Sequence, residues 1–136
     1  MTKKVGEVAP EVKLPDLEGN TIKLEDFRGE ETLILFWNPE CGFCQQMLDD
    51  LKALEKDLSR RASKILVVSA GTEGANREMG LRSPVVLDEQ FAVGRAFGAA
   101  GTPSAVLVDE GGRIASEVVV GAPTVLELVG VKRAEA

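Results

Sequence analysis

A chain of 136 residues suits one compact domain, because a core of this size buries about 70% of the surface its unfolded form exposes. Its residues are 44% hydrophobic and 28% charged, ordinary proportions for a globular protein that exclude a disordered chain. Sixteen basic residues against 22 acidic ones leave a net charge of -6, and no basic stripe forms, which excludes nucleic acid as a partner.

Lys3 and Lys4 are followed by Val5-Gly6-Glu7-Val8-Ala9-Pro10 rather than by the apolar run of a leader peptide. The longest apolar runs, Leu33 to Trp37 and Ile65 to Val68, fall far short of the roughly 20 residues that cross a bilayer. A soluble chain with no membrane insertion of its own is expected. A native start and a start downstream of a removed leader or anchor both stay open.

Val12-Lys13-Leu14 precedes Pro15, and the Gly19-Asn20 turn signal with apolar Ile22 and Leu24 beyond it predicts an N-terminal hairpin. Thr32 to Trp37 is a strand without alternation, as expected when both faces are buried. From Gly42 to about Ser59, Met47, Leu48, Leu51, Leu54 and Leu58 recur at helical spacing among Asp49, Asp50, Lys52 and Lys56, which predicts an amphipathic helix. Ile65 to Ser69 is a second buried strand, and the order strand, helix, strand implies parallel pairing through a right-handed crossover. The α/β class follows. A short helix is expected within Thr72 to Leu81, a brief strand at Val85 to Leu87 and a helix over Glu89 to Phe97. Ala105 to Val108 and Ile114 to Val120 flank Asp109-Glu110-Gly111-Gly112, the composition of a hairpin turn. Pro123 to Val129 is expected to start a closing helix, and Val131 to Ala136 to fray.

The only two cysteines form Cys41-Gly42-Phe43-Cys44 where the buried strand gives way to the amphipathic helix. At a helix start, free backbone N–H groups and the positive end of the dipole favour a thiolate, so Cys41 is the expected nucleophile. Cys44 lies one turn further on the same side, placed to attack a mixed disulfide and release product. A stapling disulfide is the structural alternative, but closing so short a loop removes little chain entropy. Zinc would need ligands that this chain lacks, since it has no His and no second cysteine pair. No metal or cofactor is expected. The absence of His also excludes the Cys-His pairing of thiol proteases.

Gly6-Glu7-Val8-Ala9-Pro10, the Leu17 to Leu24 hairpin, the run from Phe36 through Trp37-Asn38-Pro39-Glu40 to Cys44, and Gly101-Thr102-Pro103 together resemble the TlpA-type (redoxin) branch of the thioredoxin superfamily. The resemblance spans nearly the whole chain. It implies a thioredoxin fold: a central mixed sheet flanked by helices, an N-terminal β-hairpin, and a strand-helix insertion over Thr72 to Leu87. It also implies a thiol-disulfide oxidoreductase acting on disulfide-containing proteins, re-reduced by an upstream dithiol donor, in an extracytoplasmic setting. Carried over residue by residue, Pro103 would follow a cis peptide bond facing the cysteine pair, and the Thr102 backbone would pair with the substrate chain. Phe43 would be a substrate contact, or else would pack on the proline loop. Trp37 matches the aromatic residue before the active-site turn, with plain core packing as the alternative, and Pro39 and Glu40 complete that turn as supporting residues.

The chain also departs from this pattern. Relatives often place Trp before the first cysteine and a basic residue after the second, where Glu40 and Gln45 stand here. Carboxylates that relatives use to move protons for the buried cysteine would fall near Leu35 or Met47, both apolar. Glu30, Glu31, Glu40, Asp49 and Asp50 lie between Gly29 and Leu51 without one Lys or Arg, a solvated face with Glu40 set apart by its place beside Cys41.

Two other functions compete. A peroxiredoxin-like peroxidase would need Thr or Ser at Phe43 and Cys at Gln46, and a redox-sensing or partner-docking module would use the same surface without turnover. Since Gly42 and Phe43 bring no charge and Glu40 opposes the thiolate, only a modest depression of the Cys41 pKa is expected. That favours a reductase, with a potential more negative than about −180 mV.

Overall fold

The computed structural model describes residues 5–59, 64–121 and 125. Strands β1 (Lys13–Pro15) and β2 (Thr21–Lys23) pair antiparallel, Leu14 opposite Ile22, as the expected hairpin. Its turn is held by the Asp16 carboxylate, which accepts from the backbone N–H of Glu18 and of Asn20, both at 2.9 Å. Gly19 takes φ +85 there, a conformation open to glycine and strained for other residues.

Thr32–Trp37 forms β3 with all six residues buried, followed by α1 (Gly42–Ser59), β4 (Lys64–Ser69), α2 (Glu73–Met79) and β5 (Val85–Leu87). Then come α3 (Ala92–Ala96), β6 (Ser104–Val108) and β7 (Val119–Val120). The five-stranded sheet runs β5-β4-β3-β6-β7, with β3, β4 and β5 parallel and β6 and β7 antiparallel to their neighbours. The expected parallel β3-α1-β4 unit is therefore present, and β3 is the middle strand. The predicted insertion supplies α2 and the edge strand β5, against which the hairpin leans through an Asp16–Val86 bridge.

Alternate residues of β3 feed two cores, which explains why its sequence shows no polar alternation. Leu33, Leu35 and Trp37 pack with Cys44, Met47, Leu51 and Leu54 of α1 and with Met79. Ile34 and Phe36 point the other way, towards Val12, Leu24, Phe97 and Ile114. There the Phe36 ring lies 5.5 Å from Phe97 and 6.2 Å, edge to face, from Phe91.

Two expected elements are shorter than their patterns suggested. The helix predicted over Glu89 to Phe97 begins only at Ala92, because buried Asp88 takes the N–H groups of Val93 and Gly94, both at 3.0 Å, as a cap. Phe91 adopts φ +59 and lays its ring over Gly94, where a Cβ would sit 2.6 Å from it. The strand expected from Ile114 to Val120 survives as one bridge, Ile114 to Val108, and as β7, because the Ser116 hydroxyl replaces backbone as acceptor for the Leu107 N–H. The closing helix expected from Pro123 and the frayed end from Val131 lie outside the described residues, except that Val125 is buried beside α1's core face.

Glu55, on α1, was not distinguished in the sequence, yet it is buried. Its Oε2 accepts from Arg82 N–H, Ser83 N–H and the Ser83 hydroxyl at 3.0, 2.7 and 2.6 Å, tying α1 to the loop before β5. Gly71, after β4, leaves room for the turn that precedes Cys41: a Cβ there would lie 2.4 Å from Pro39 Cδ and 2.8 Å from Cγ. The Gly71→Ala protein should lose about 1–3 kcal/mol of stability in urea denaturation, the usual cost of overpacking. A loss below about 0.5 kcal/mol, the range of inert surface changes, would mean that this contact is slack.

Candidate functional site

The site lies where β3 ends at its C-terminal edge and α1 begins. The Asn38 side-chain oxygen accepts the Glu40 N–H at 2.9 Å, and its carbonyl accepts the Cys41 N–H at 3.0 Å, so one residue shapes the whole turn. Pro39 is buried against Gly71, and its carbonyl accepts the Gln45 side-chain amide at 2.9 Å. Cys41 sits at the helix N-cap: its carbonyl already takes the first helical bond, from Gln45 N–H at 3.0 Å.

Cys41 and Cys44 are both free thiols, but their surroundings differ sharply. Cys41 is partly exposed, whereas Cys44 is fully buried in the core shared with Trp37 and Met47. Burial raises the Cys41 pKa, but hydrogen bonds from the Thr102 side chain, from the backbone N–H groups of Cys44 and Phe43 and from the Cys44 thiol outweigh it, and the net shift is downward. For Cys44 the balance reverses. Burial drives its pKa up to about 12, with the neighbouring Cys41 adding to the rise and the Asn38 and Thr102 interactions only reducing it.

Across from the pair, the Thr102-Pro103 peptide is cis, and the Cys41 thiol points to the Thr102 carbonyl at 3.5 Å. The loop is tied to β7 by the Gly121 N–H, which donates to the Pro103 carbonyl at 2.8 Å. Thus the structure brings together Cys41, Cys44, Thr102 and Pro103, residues from two segments about sixty positions apart. Phe43 projects outward with 67% of its surface exposed. Trp37 is fully buried, and its indole N–H donates to the Met79 sulfur at 2.8 Å, the core-packing role. Glu40 is exposed beside Cys41. Leu35 and Met47, where a proton-handling carboxylate would fall, are buried among apolar side chains.

Three contributions were not foreseen from the sequence. Thr102 lowers the pKa of both thiols, an effect beyond the backbone pairing that the resemblance implies for it. Asn38 builds the turn, and the Asn-Pro pair is a turn signal that could have flagged it. Met79, from the insertion, anchors Trp37, and nothing in the local sequence marks it.

The AhpC/TSA family model matches residues 5–117. The thiol-disulfide oxidoreductase ResA of Geobacillus thermodenitrificans (strain NG80-2) is 31% identical over 125 residues, covering 88% of this chain and 71% of that protein. Among solved structures, the thioredoxin domain of a thiol-disulfide oxidoreductase from Bacteroides vulgatus superimposes with a TM-score of 0.78 at 25% identity, over 96% of this chain and 98% of that one. A thiol:disulfide interchange protein from Bacteroides sp. gives 0.77 at 25% identity, over 96% and 91%. Because the family model spans residues 5–117, most of the chain, and the ResA relative is 31% identical, the chain belongs to the AhpC/TSA family.

Proposed function

We propose that this protein is a thiol-disulfide oxidoreductase that reduces disulfide bonds in other proteins, with Cys41 as the attacking thiol and Cys44 as the resolving one. The observation that carries this reading is the asymmetry of two thiols one helical turn apart: one accessible with its pKa lowered, the other fully buried with its pKa near 12. In the first step the Cys41 thiolate attacks one sulfur of the substrate disulfide. A Cys41–substrate bond forms, the substrate S–S bond breaks, and one substrate thiolate leaves. In the second step Cys44 gives up its proton to that thiolate and attacks Cys41 Sγ, expelling the second substrate sulfur and closing a Cys41–Cys44 disulfide. Two electrons and the Cys44 proton have then passed from the thiolate–thiol pair to the substrate, and the second substrate thiolate takes its proton from solvent.

The apolar positions at Leu35 and Met47 leave no carboxylate to take the Cys44 proton there. The mixed disulfide itself eases that step. While Cys41 is a thiolate its charge raises the Cys44 pKa, and once Cys41 is covalently bound that repulsion is gone while the Asn38 and Thr102 interactions remain. The Thr102 backbone beside the cis bond offers the substrate chain a pairing edge, and exposed Phe43 offers an apolar contact. Trp37, Pro39 and Glu40 shape or border the turn.

The reducing direction follows from what stabilises the thiolate. Neutral donors alone lower the Cys41 pKa, with neither His nor a cation contributing, so the reduced form is not strongly favoured. A peroxidase would need a hydroxyl at position 43 and a cysteine at position 46, and these hold Phe43 and Gln46, both exposed. The resemblance carried by the sequence motifs favours an extracytoplasmic location and a second dithiol protein that restores the reduced state. Among the described residues no helix is long and apolar enough to cross a membrane.

The Cys44→Ser protein should accumulate a covalent complex with a disulfide substrate through Cys41, visible on non-reducing gels, and Cys41→Ser should not. Trapping by Cys41→Ser alone would exchange the two roles. Alkylation of the reduced protein by iodoacetamide should rise with pH as the Cys41 thiolate forms, with a midpoint below that of a free cysteine peptide, while Cys44 stays unmodified until pH approaches 12. Equal reactivity of the two thiols at neutral pH would contradict the assignment. Equilibration with glutathione, followed by the fluorescence of Trp37, should give a potential more negative than about −180 mV, and a value near −120 mV would make the protein an oxidant instead.

A further inference from the structure

We infer that Glu40 selects substrates whose reacting cysteine is flanked by cationic side chains, a specificity that rests on the oxidoreductase reading above. Glu40 directly precedes Cys41, and its backbone N–H is fixed by Asn38 Oδ1 at 2.9 Å, so its side chain leaves the turn from a defined point next to the attacking sulfur. The side chain is exposed and has no ion-pair or hydrogen-bond partner among the described residues.

Among the described residues no ion pair neutralises the charge. The three segments that frame Cys41 are Trp37 to Leu51, Ala70 to Thr72 and Phe97 to Ser104, and none contains Lys or Arg. The other acids of the first segment matter less. Asp49 is eight residues beyond Cys41, about 12 Å along the helix at 1.5 Å per residue, which exceeds the screening length of about 8 Å at physiological salt. Glu40, adjacent to Cys41 in the chain and exposed, is therefore the charge of these segments set to meet an incoming cysteine first. Phe43, 67% exposed on the same turn, adds a contact indifferent to charge. A bound substrate thus meets one carboxylate and one aromatic ring beside its disulfide, which suits a segment carrying Lys or Arg and an apolar residue next to cysteine. Acidic flanks would be repelled at the same place.

Three cysteine peptides, identical but for Lys, Gln or Glu on both sides of the cysteine and each carrying one Leu, can be offered as their symmetric disulfides to the reduced protein. Second-order rates are read by acid quench and alkylation. At low ionic strength the Lys peptide should react about fivefold faster than the Glu peptide, the scale of exposed charge pairs, and the gap should narrow in added salt. Because a change in the Cys41 pKa moves all three rates together, the ratio isolates specificity. Divided by the ratio that 2-mercaptoethanol gives with the same peptides, which carries the intrinsic effect of the flanks on the leaving thiol, it should fall to about one in Glu40→Gln and invert in Glu40→Lys. A ratio near one in the unmodified protein, or one unchanged in both variants, overturns the inference while reduction of the Gln peptide leaves the oxidoreductase reading standing. Failure to reduce any of the three removes both.

Discussion

β3 fixes the position of everything else in the site. Its six residues are buried, it is hydrogen-bonded to β4 on one side and β6 on the other, and its two faces serve two separate cores. Each large apolar side chain so enclosed contributes about 1.5–3 kcal/mol. A one-residue slip would turn Leu33, Leu35 and Trp37 away from α1 and expose the mismatch on both sides at once. The C-terminal end of this strand is therefore held from both faces and both edges, and the turn that starts there inherits its position. Because β6 follows the cis-proline loop and pairs with the same strand, Thr102 and Cys41 are held on one frame although sixty residues of chain separate them.

From that frame the two thiols acquire opposite character through an ordinary competition. Desolvation acts on both, and it loses at Cys41 because the helix N-terminus and Thr102 direct hydrogen bonds at a sulfur still open to solvent. It wins at Cys44, three residues later, because the helix has by then carried the side chain into the core beside Trp37 and Met47. No catalytic acid or base needs to be built in for one sulfur to be ready and the other held back.

The insertion acts as a brace behind the turn rather than as part of the reacting surface. Met79 takes the indole N–H of Trp37, Gly71 accommodates Pro39 at close range, and Glu55 ties the loop before β5 to the active-site helix. These contacts give α2 and β5 a reason to be retained near a site they do not line.

Much of this was legible in the sequence because it depends on local pattern. The unbroken apolar run of β3, the helical spacing of Met47, Leu51 and Leu54, and the cysteine pair at their junction follow from periods of side-chain direction that neighbouring residues set. The pairing of Gly101-Thr102-Pro103 with the cysteines came from family likeness, since no local rule places a loop opposite a helix. The sequence pattern overstates the length of α3 and of β7 because Asp88 and Ser116 spend side-chain oxygens on backbone N–H groups that the pattern assigns to helix and strand. Only the tertiary structure decided the burial of Glu55, the bond from Trp37 to Met79 and the hold of Thr102 on both sulfurs. Each is a contact between residues far apart in the chain, and its strength comes from exclusion of water, a condition that exists only once the strands and helices have packed.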